Sequence, residues 1–137
     1  MNQKKILIVD DDAVIVNGLS LNLKANGYDV FTSADGSEAV STVRREKPDL
    51  ILLDITFPPD VAHGGGLAWD GFAIISWLRR LDEAKTTPIF IITGSESSKS
   101  KDRSLAVGAV GFFQKPINSN DLIAAIRKVL GQESPGT

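Results

Sequence analysis

Short, unbroken apolar runs alternate with segments of helical period along this chain. Ile6-Leu7-Ile8-Val9, Leu50-Ile51-Leu52-Leu53 and Ile89-Phe90-Ile91-Ile92 show no polar alternation, the pattern of strands covered on both faces. Residues 28–33 alternate, with Tyr28, Val30 and Thr32 on one side and Asp29, Phe31 and Ser33 on the other, and read as a second strand. Gly111-Phe112-Phe113-Gln114 is a short fifth one. Between these runs Asp12 can cap a helix carrying Ile15, Leu19 and Leu23, with Gly27 as its stop. Ala39, Val40 and Val43 mark a helix over 37–46 that Pro48 ends. Phe72, Ile75, Leu78 and Leu81 mark one over 72–81, and 95–107 is a mostly polar helical segment. Asn118 or Ser119 caps a last helix with Leu122, Ile123, Ile126, Val129 and Leu130. Five strands alternating with five helices predict an α/β fold with a doubly wound parallel sheet. The stretch 57–69, which holds Gly64-Gly65-Gly66, has no periodicity, and 132–137 is a polar tail.

Composition narrows the chemistry. The 137 residues suit one domain. Fifteen basic against 17 acidic residues leave a net charge of −2, which argues against a basic nucleic-acid surface. With no Cys and one His, His63, thiolate chemistry and His-rich zinc sites are excluded. The apolar runs are too short to span a membrane or to form a signal peptide, so a cytoplasmic protein is expected.

Ligands of parallel α/β sheets bind beyond the carboxyl ends of the strands. The first strand ends at Asp10-Asp11-Asp12, the third at Asp54, the fourth at Thr93-Gly94 and the fifth at Lys115-Pro116. Taken singly, each has an ordinary reading as a cap, a turn residue or a surface charge. Together they converge on one rim. Two like charges about 4 Å apart repel by roughly 4 kcal/mol at an effective dielectric near 20, so clustered carboxylates recruit a cation or shift their proton affinity. Oxygen ligands alone select a hard ion: Mg²⁺, Mn²⁺ or Ca²⁺. Mg²⁺ with Lys115 and Thr93 suits a phosphoryl group, and Asp54, aimed from the central strand, is the best-placed phosphoacceptor.

Ile6-Leu7-Ile8-Val9-Asp10-Asp11-Asp12, Pro48-Asp49-Leu50-Ile51-Leu52-Leu53-Asp54, Ile91-Ile92-Thr93-Gly94 and Phe113-Gln114-Lys115-Pro116 resemble, in this order, the receiver domains of two-component response regulators. The resemblance runs from about residue 4 to 130. It implies a flavodoxin-like fold with strand order 2-1-3-4-5, a receiver domain over 1–131, and 132–137 as a tail or the start of a linker. It implies Asp54 as phosphoacceptor and Asp11, Asp54 and the Thr56 carbonyl as direct ligands of Mg²⁺, or of Mn²⁺. Asp10 would reach the ion through water, Thr93 and Lys115 would hold phosphoryl oxygens, and Phe112 falls at an aromatic switch position. The implied phosphodonor is a sensor histidine kinase or a histidine phosphotransfer protein. The implied output is a surface made by the fourth helix, fifth strand and fifth helix. No nucleic-acid or membrane contact is expected, and the chain is expected to be a monomer or a weak phosphorylation-linked dimer, the last helix offering a face for it.

Two features depart from the family pattern. Asp70-Gly71 lies 16 residues beyond Asp54, nine more than usual, so an insertion falls roughly within 59–69. Pro59, His63, Gly64, Gly65, Gly66 and Trp69 belong to it, and its position suggests a lid or a partner contact, with a tolerated insertion as the alternative. Phe112 lacks the hydroxyl of the Tyr often found there, so a switch at this position must work by packing. Trp77 is expected to pack its helix. With seven residues after Leu130, the chain reads either as a receiver with no output domain or as the first domain of a longer regulator. A small Mg²⁺-dependent phosphohydrolase is an alternative, weakened because Thr56 stands where its acid/base carboxylate would be. A phosphorylation-independent interaction module is another, opposed by the presence of Asp54, Thr93 and Lys115 together.

Overall fold

The computed structural model describes residues 4–54, 71–82, 84–93, 108–114 and 117–131, with backbone alone at 71–74 and 93. The strands are β1 (Lys5–Val9), β2 (Asp29–Ser33), β3 (Leu50–Asp54), β4 (Ile89–Thr93) and β5 (Gly111–Gln114). They form one parallel sheet in the order β2-β1-β3-β4-β5. The helices are α1 (Ala13–Ala25), α2 (Gly36–Glu46), α3 (Gly71–Leu78) and a C-terminal helix (Ser119–Val129). The helix expected over 95–107 and the tail 132–137 lie outside the described residues.

Side chains alternate across a strand, and here each face meets its own apolar layer. Ile6, Ile8, Leu50, Leu52, Phe90 and Ile92 pack with Leu19 and Leu23 of α1 and Leu122, Ile123 and Ile126 of the C-terminal helix. Leu7, Val9, Ile51, Leu53, Ile89 and Ile91 pack on the other face with Ala39 and Val43 of α2 and Ile75 and Leu78 of α3. This two-sided burial is why the central strands carry no polar alternation. The edge strand β2 keeps its expected alternation: Tyr28 and Val30 pack on one layer and Phe31 on the other, while Asp29 and Thr32 are exposed.

The caps follow the sequence closely. Asp12 accepts from the backbone N–H of Val14 (3.0 Å) and Ile15 (3.4 Å), Asp35 from Glu38 (2.8 Å), and Asn118 from Asp121 (3.1 Å). Gly27, at φ +92°, lets the chain turn from α1 into β2. Lys47 closes α2 in the left-handed region, φ 50°, just before Pro48, which disfavours a further helical residue.

Three expectations need correction. The third helix ends at Leu78, not Leu81. Beyond it the chain tightens, with Arg80 N–H donating to Trp77 (3.0 Å) and Leu81 N–H to Leu78 (3.0 Å). The Arg79 guanidinium pins this turn by donating to the carbonyls of Ala84 (3.1 Å) and Thr87 (2.6 Å). Trp77 is 44% exposed and not a core residue, and Val129 is likewise exposed, because the C-terminal helix turns Leu122, Ile123 and Ile126 inward.

Two tests follow from this packing. Arg79→Met keeps the stem and removes the charge-assisted hydrogen bonds to Ala84 and Thr87 and a longer one to the Gly108 carbonyl (3.5 Å), so denaturant unfolding should show a loss of about 2 kcal/mol. A change within experimental error would mean that water replaces the guanidinium. Tyr28 is buried, which raises its phenol above 10.0, partly offset by Arg127 close by. A raised folded-state value favours the neutral phenol, so its contribution to stability is complete below pH 10 and falls as pH rises beyond it. Melting temperatures above pH 10 should therefore fall more steeply in the parent protein than in Tyr28→Phe.

Candidate phosphoacceptor and metal site

The three consecutive aspartates after β1 do three different things. Asp10 is 2% exposed; its N–H donates to the Ser33 carbonyl at the end of β2 (3.1 Å), and its Oδ1 accepts from the Asp12 N–H (2.9 Å). That bond folds the strand end into a tight turn. Asp12 is drawn back over the start of α1 as its cap. Asp11, between them, is exposed at the rim.

Asp54 is the last residue of β3, the strand between β1 and β4, and is also 2% exposed. Its register partner on β4 is Ile92, one residue before Thr93. Carboxylate oxygens of Asp10, Asp11 and Asp54 lie within 4.8 Å of one another. The sheet register thus converts a separation of more than 40 residues into one cluster. At such distances like charges repel by kilocalories when partly desolvated. The donor set is entirely carboxylate oxygen, which fits a hard divalent cation and no soft one.

The other proposed site residues divide. Thr93 ends β4 beside Gln114 of β5, at the same rim. Phe112 stands in β5 opposite Ile91, half-buried against the α2 and α3 layer. Lys115, Thr56 and the insertion residues Pro59, His63, Gly64, Gly65, Gly66 and Trp69 lie outside the described residues. Lys115 follows Gln114, the residue paired with Thr93. The role of Asp10 in bracing the turn was not legible from spacing; it appears only once the Asp12 N–H is seen to need an acceptor.

Residues 6–127 match the family model described as response regulator receiver domain. The chain is 35% identical over 127 residues to the alkaline phosphatase synthesis transcriptional regulatory protein PhoP of Bacillus subtilis (strain 168), an alignment covering 93% of this chain and 48% of that one. It thus spans about half the length of that relative. Among solved structures it is similar to the chemotaxis protein CheY4 of Vibrio cholerae, at 32% identity and TM-score 0.82, covering 93% of this chain and 99% of that one. It is also similar to the receiver domain of sensor histidine kinase PA1611 from Pseudomonas aeruginosa PAO1, with a magnesium ion coordinated in the active site cleft. That match has 25% identity and TM-score 0.80, and covers 95% and 99% of the two chains. With its sheet order, its rim of carboxylates and this match over most of its length, the chain belongs to the response regulator receiver domains, the signalling modules of two-component systems.

If the cluster is held together against its own charge, removing one carboxylate should help the metal-free protein. Asp11→Asn should raise stability in chelator by about 1 kcal/mol or less, because Asp11 is exposed and screened. Excess Mg²⁺ should then stabilise the parent more than the variant. Thermal melts with chelator and with Mg²⁺ read both effects, and equal Mg²⁺ responses would remove Asp11 from the ion's ligands.

Proposed function

We propose that residues 1–131 act as a phosphoacceptor receiver, taking a phosphoryl group from a phosphohistidine onto Asp54. The observation that carries this reading is the convergence of Asp10, Asp11 and Asp54 at the strand rim, two of them withdrawn from solvent. Asp11, Asp54 and the Thr56 carbonyl would hold Mg²⁺, or Mn²⁺, with Asp10 reaching it through water. The bound ion supplies positive charge to the phosphoryl oxygens and relieves repulsion among the carboxylates.

The chain's own residues perform the transfer. An Asp54 carboxylate oxygen attacks phosphorus in line, and an oxygen–phosphorus bond forms as the nitrogen–phosphorus bond breaks. The electron pair of the broken bond stays on the donor imidazole nitrogen. Lys115 offers a point charge, and Thr93 a hydroxyl, to the transferred oxygens. The phosphoryl group carries about −1.5 to −2 charge where the carboxylate carried one, so the product gains roughly one negative charge or less at a site already acidic. Movement of Thr93 and Lys115 toward that charge biases a two-state surface built on the 95–107 segment, β5 and the C-terminal helix. Phe112 has no hydroxyl and contributes to that change through packing.

The donor is a sensor histidine kinase or a histidine phosphotransfer protein. The segment 59–69 follows the acceptor in sequence and serves as a lid or as part of that donor's footprint. The protein is a signalling component and turns over only its own phosphoryl group. It works in the cytoplasm; among the described residues no helix is long and apolar enough to cross a membrane.

Intact mass after incubation with acetyl phosphate tests the reading directly. One Mg²⁺-dependent phosphoryl adduct is expected in the parent protein and none in Asp54→Ala. An equal adduct in Asp54→Ala, or none in a folded parent offered both acetyl phosphate and a phosphorylated donor protein, would overturn it.

A further inference from the structure

The outward face of α1 carries a pattern that neither the core nor the carboxylate site uses. Val14, Gly18, Leu21 and Ala25 recur at spacings of four, three and four residues, and all four are exposed, Val14 at 79% and Leu21 at 72%. They lie on the side of the helix turned away from Leu19 and Leu23. Alternating spacings of four and three are those of a helix–helix seam. Lys24 is the only charged residue within Ala13–Ala25.

Gly18 is not required by any contact among the described residues. It lies in mid-helix, and a Cβ added there would meet nothing within 4 Å. Glycine at such a position lowers helix stability relative to alanine. What a bare position offers is close approach to a second backbone. Beside it a shallow cavity of about 260 Å³ is bounded by Val14, Ile15, Leu19, Ile117 and Ser119.

We propose that α1 pairs antiparallel with α1 of a second copy of this chain about a two-fold axis. Residues along the seam alternate large, small, large, small. Antiparallel pairing about a centre between Leu19 and Ser20 sets Leu21 of each copy at Gly18 of the other, and Val14 against Ala25. The same patch then meets itself with each large side chain opposite a small one, as a closed two-fold interface requires. Charge favours the same direction. Asp11 and Asp12 stand at the start of α1 and Lys24 near its end, so each acidic end lies near a lysine of the other copy and the helix dipoles oppose. Parallel pairing would set acid beside acid and Leu21 against Leu21. The C-terminal helix, by contrast, exposes Val129 but keeps Leu122, Ile123 and Ile126 for the core, and among the described residues the two most exposed large apolar side chains, Val14 and Leu21, both lie on α1. About three turns of seam on each copy make a weak dimer, formed without phosphorylation.

Sedimentation velocity of the full chain over a range of concentrations is expected to show monomer and dimer in exchange. Gly18→Leu should weaken the dimer at least about tenfold by setting leucine against leucine, and Leu21→Gly should weaken it by removing the knob. Gly18→Leu alone should raise the melting temperature, since leucine favours helix, so its loss of dimer is not unfolding. The double variant Gly18→Leu/Leu21→Gly exchanges knob and hole and should restore dimerisation. The chain has no cysteine. Mixing Val14→Cys with Ala25→Cys should therefore give an oxidised heterodimer, while neither variant alone forms one through these positions. A parent chain that stays monomeric at its highest soluble concentration would overturn the proposal. So would a Gly18→Leu dimer of unchanged strength, or a Val14→Cys homodimer linked through that residue.

Discussion

Everything else in this fold is arranged around keeping Asp10 and Asp54 out of solvent at the ends of two neighbouring strands, within 4.8 Å of each other and of Asp11. Carboxylates so placed repel. What holds them is the burial of β1 and β3 on both faces. Ile6 to Val9 and Leu50 to Leu53 are all fully buried, and the paired register Ile6–Leu50 through Val9–Leu53 fixes where each strand ends. Slipping that register by one residue would exchange the two apolar layers and move Asp54 to the opposite face. The hydrophobic layers therefore set the geometry of the acid cluster.

The layers are also what made the fold legible in sequence. A strand buried on both faces writes itself as an unbroken apolar run, and three such runs needed no tertiary information to be found. Asp12, Asn118 and Gly27 could be read as caps and stop because their roles are settled within a few residues. The end of α3 could not. Leu81 keeps helical spacing and still touches the core, but the helix stops at Leu78 because Arg79 reaches carbonyls of Ala84 and Thr87, partners that spacing does not reveal. β2 was legible for the opposite reason: its alternation sends Tyr28 and Val30 to one layer and Phe31 to the other, a pattern settled by period alone.

The site was legible as a list and not as a geometry. Strand-end position named Asp10, Asp11 and Asp54, and parallel topology placed them on one rim. The separate duties of the three aspartates after β1 depended on individual hydrogen bonds: Asp10 to the Asp12 N–H, and Asp12 to the first turn of α1. Periodicity also has a blind side. It identifies the face of α1 that carries Leu19 and Leu23 and says nothing of Val14, Gly18 and Leu21, because an amphipathic reading treats the other face as solvent by default.

α1 joins the two halves of this account. Its first turn is capped by Asp12, two residues after Asp10, so the helix is fixed to the acid cluster by a rigid turn. A second copy seated on α1 then sees that cluster as the charge at one end of its own interface, facing Lys24. A divalent cation bound among Asp10, Asp11 and Asp54 would lower the negative charge at that end and weaken its attraction for the lysine, and a phosphoryl group on Asp54 would restore part of it. Linkage makes such effects reciprocal: whatever free energy the bound ion takes from the dimer, the dimer takes from the bound ion. The size of that coupling is limited by solvent screening, since Asp11, Asp12 and Lys24 are all exposed and their attraction fades beyond a Debye length of about 8 Å at physiological ionic strength. Pairing through α1 is accordingly governed first by the fit of Leu21 at Gly18 and only second by the state of the site.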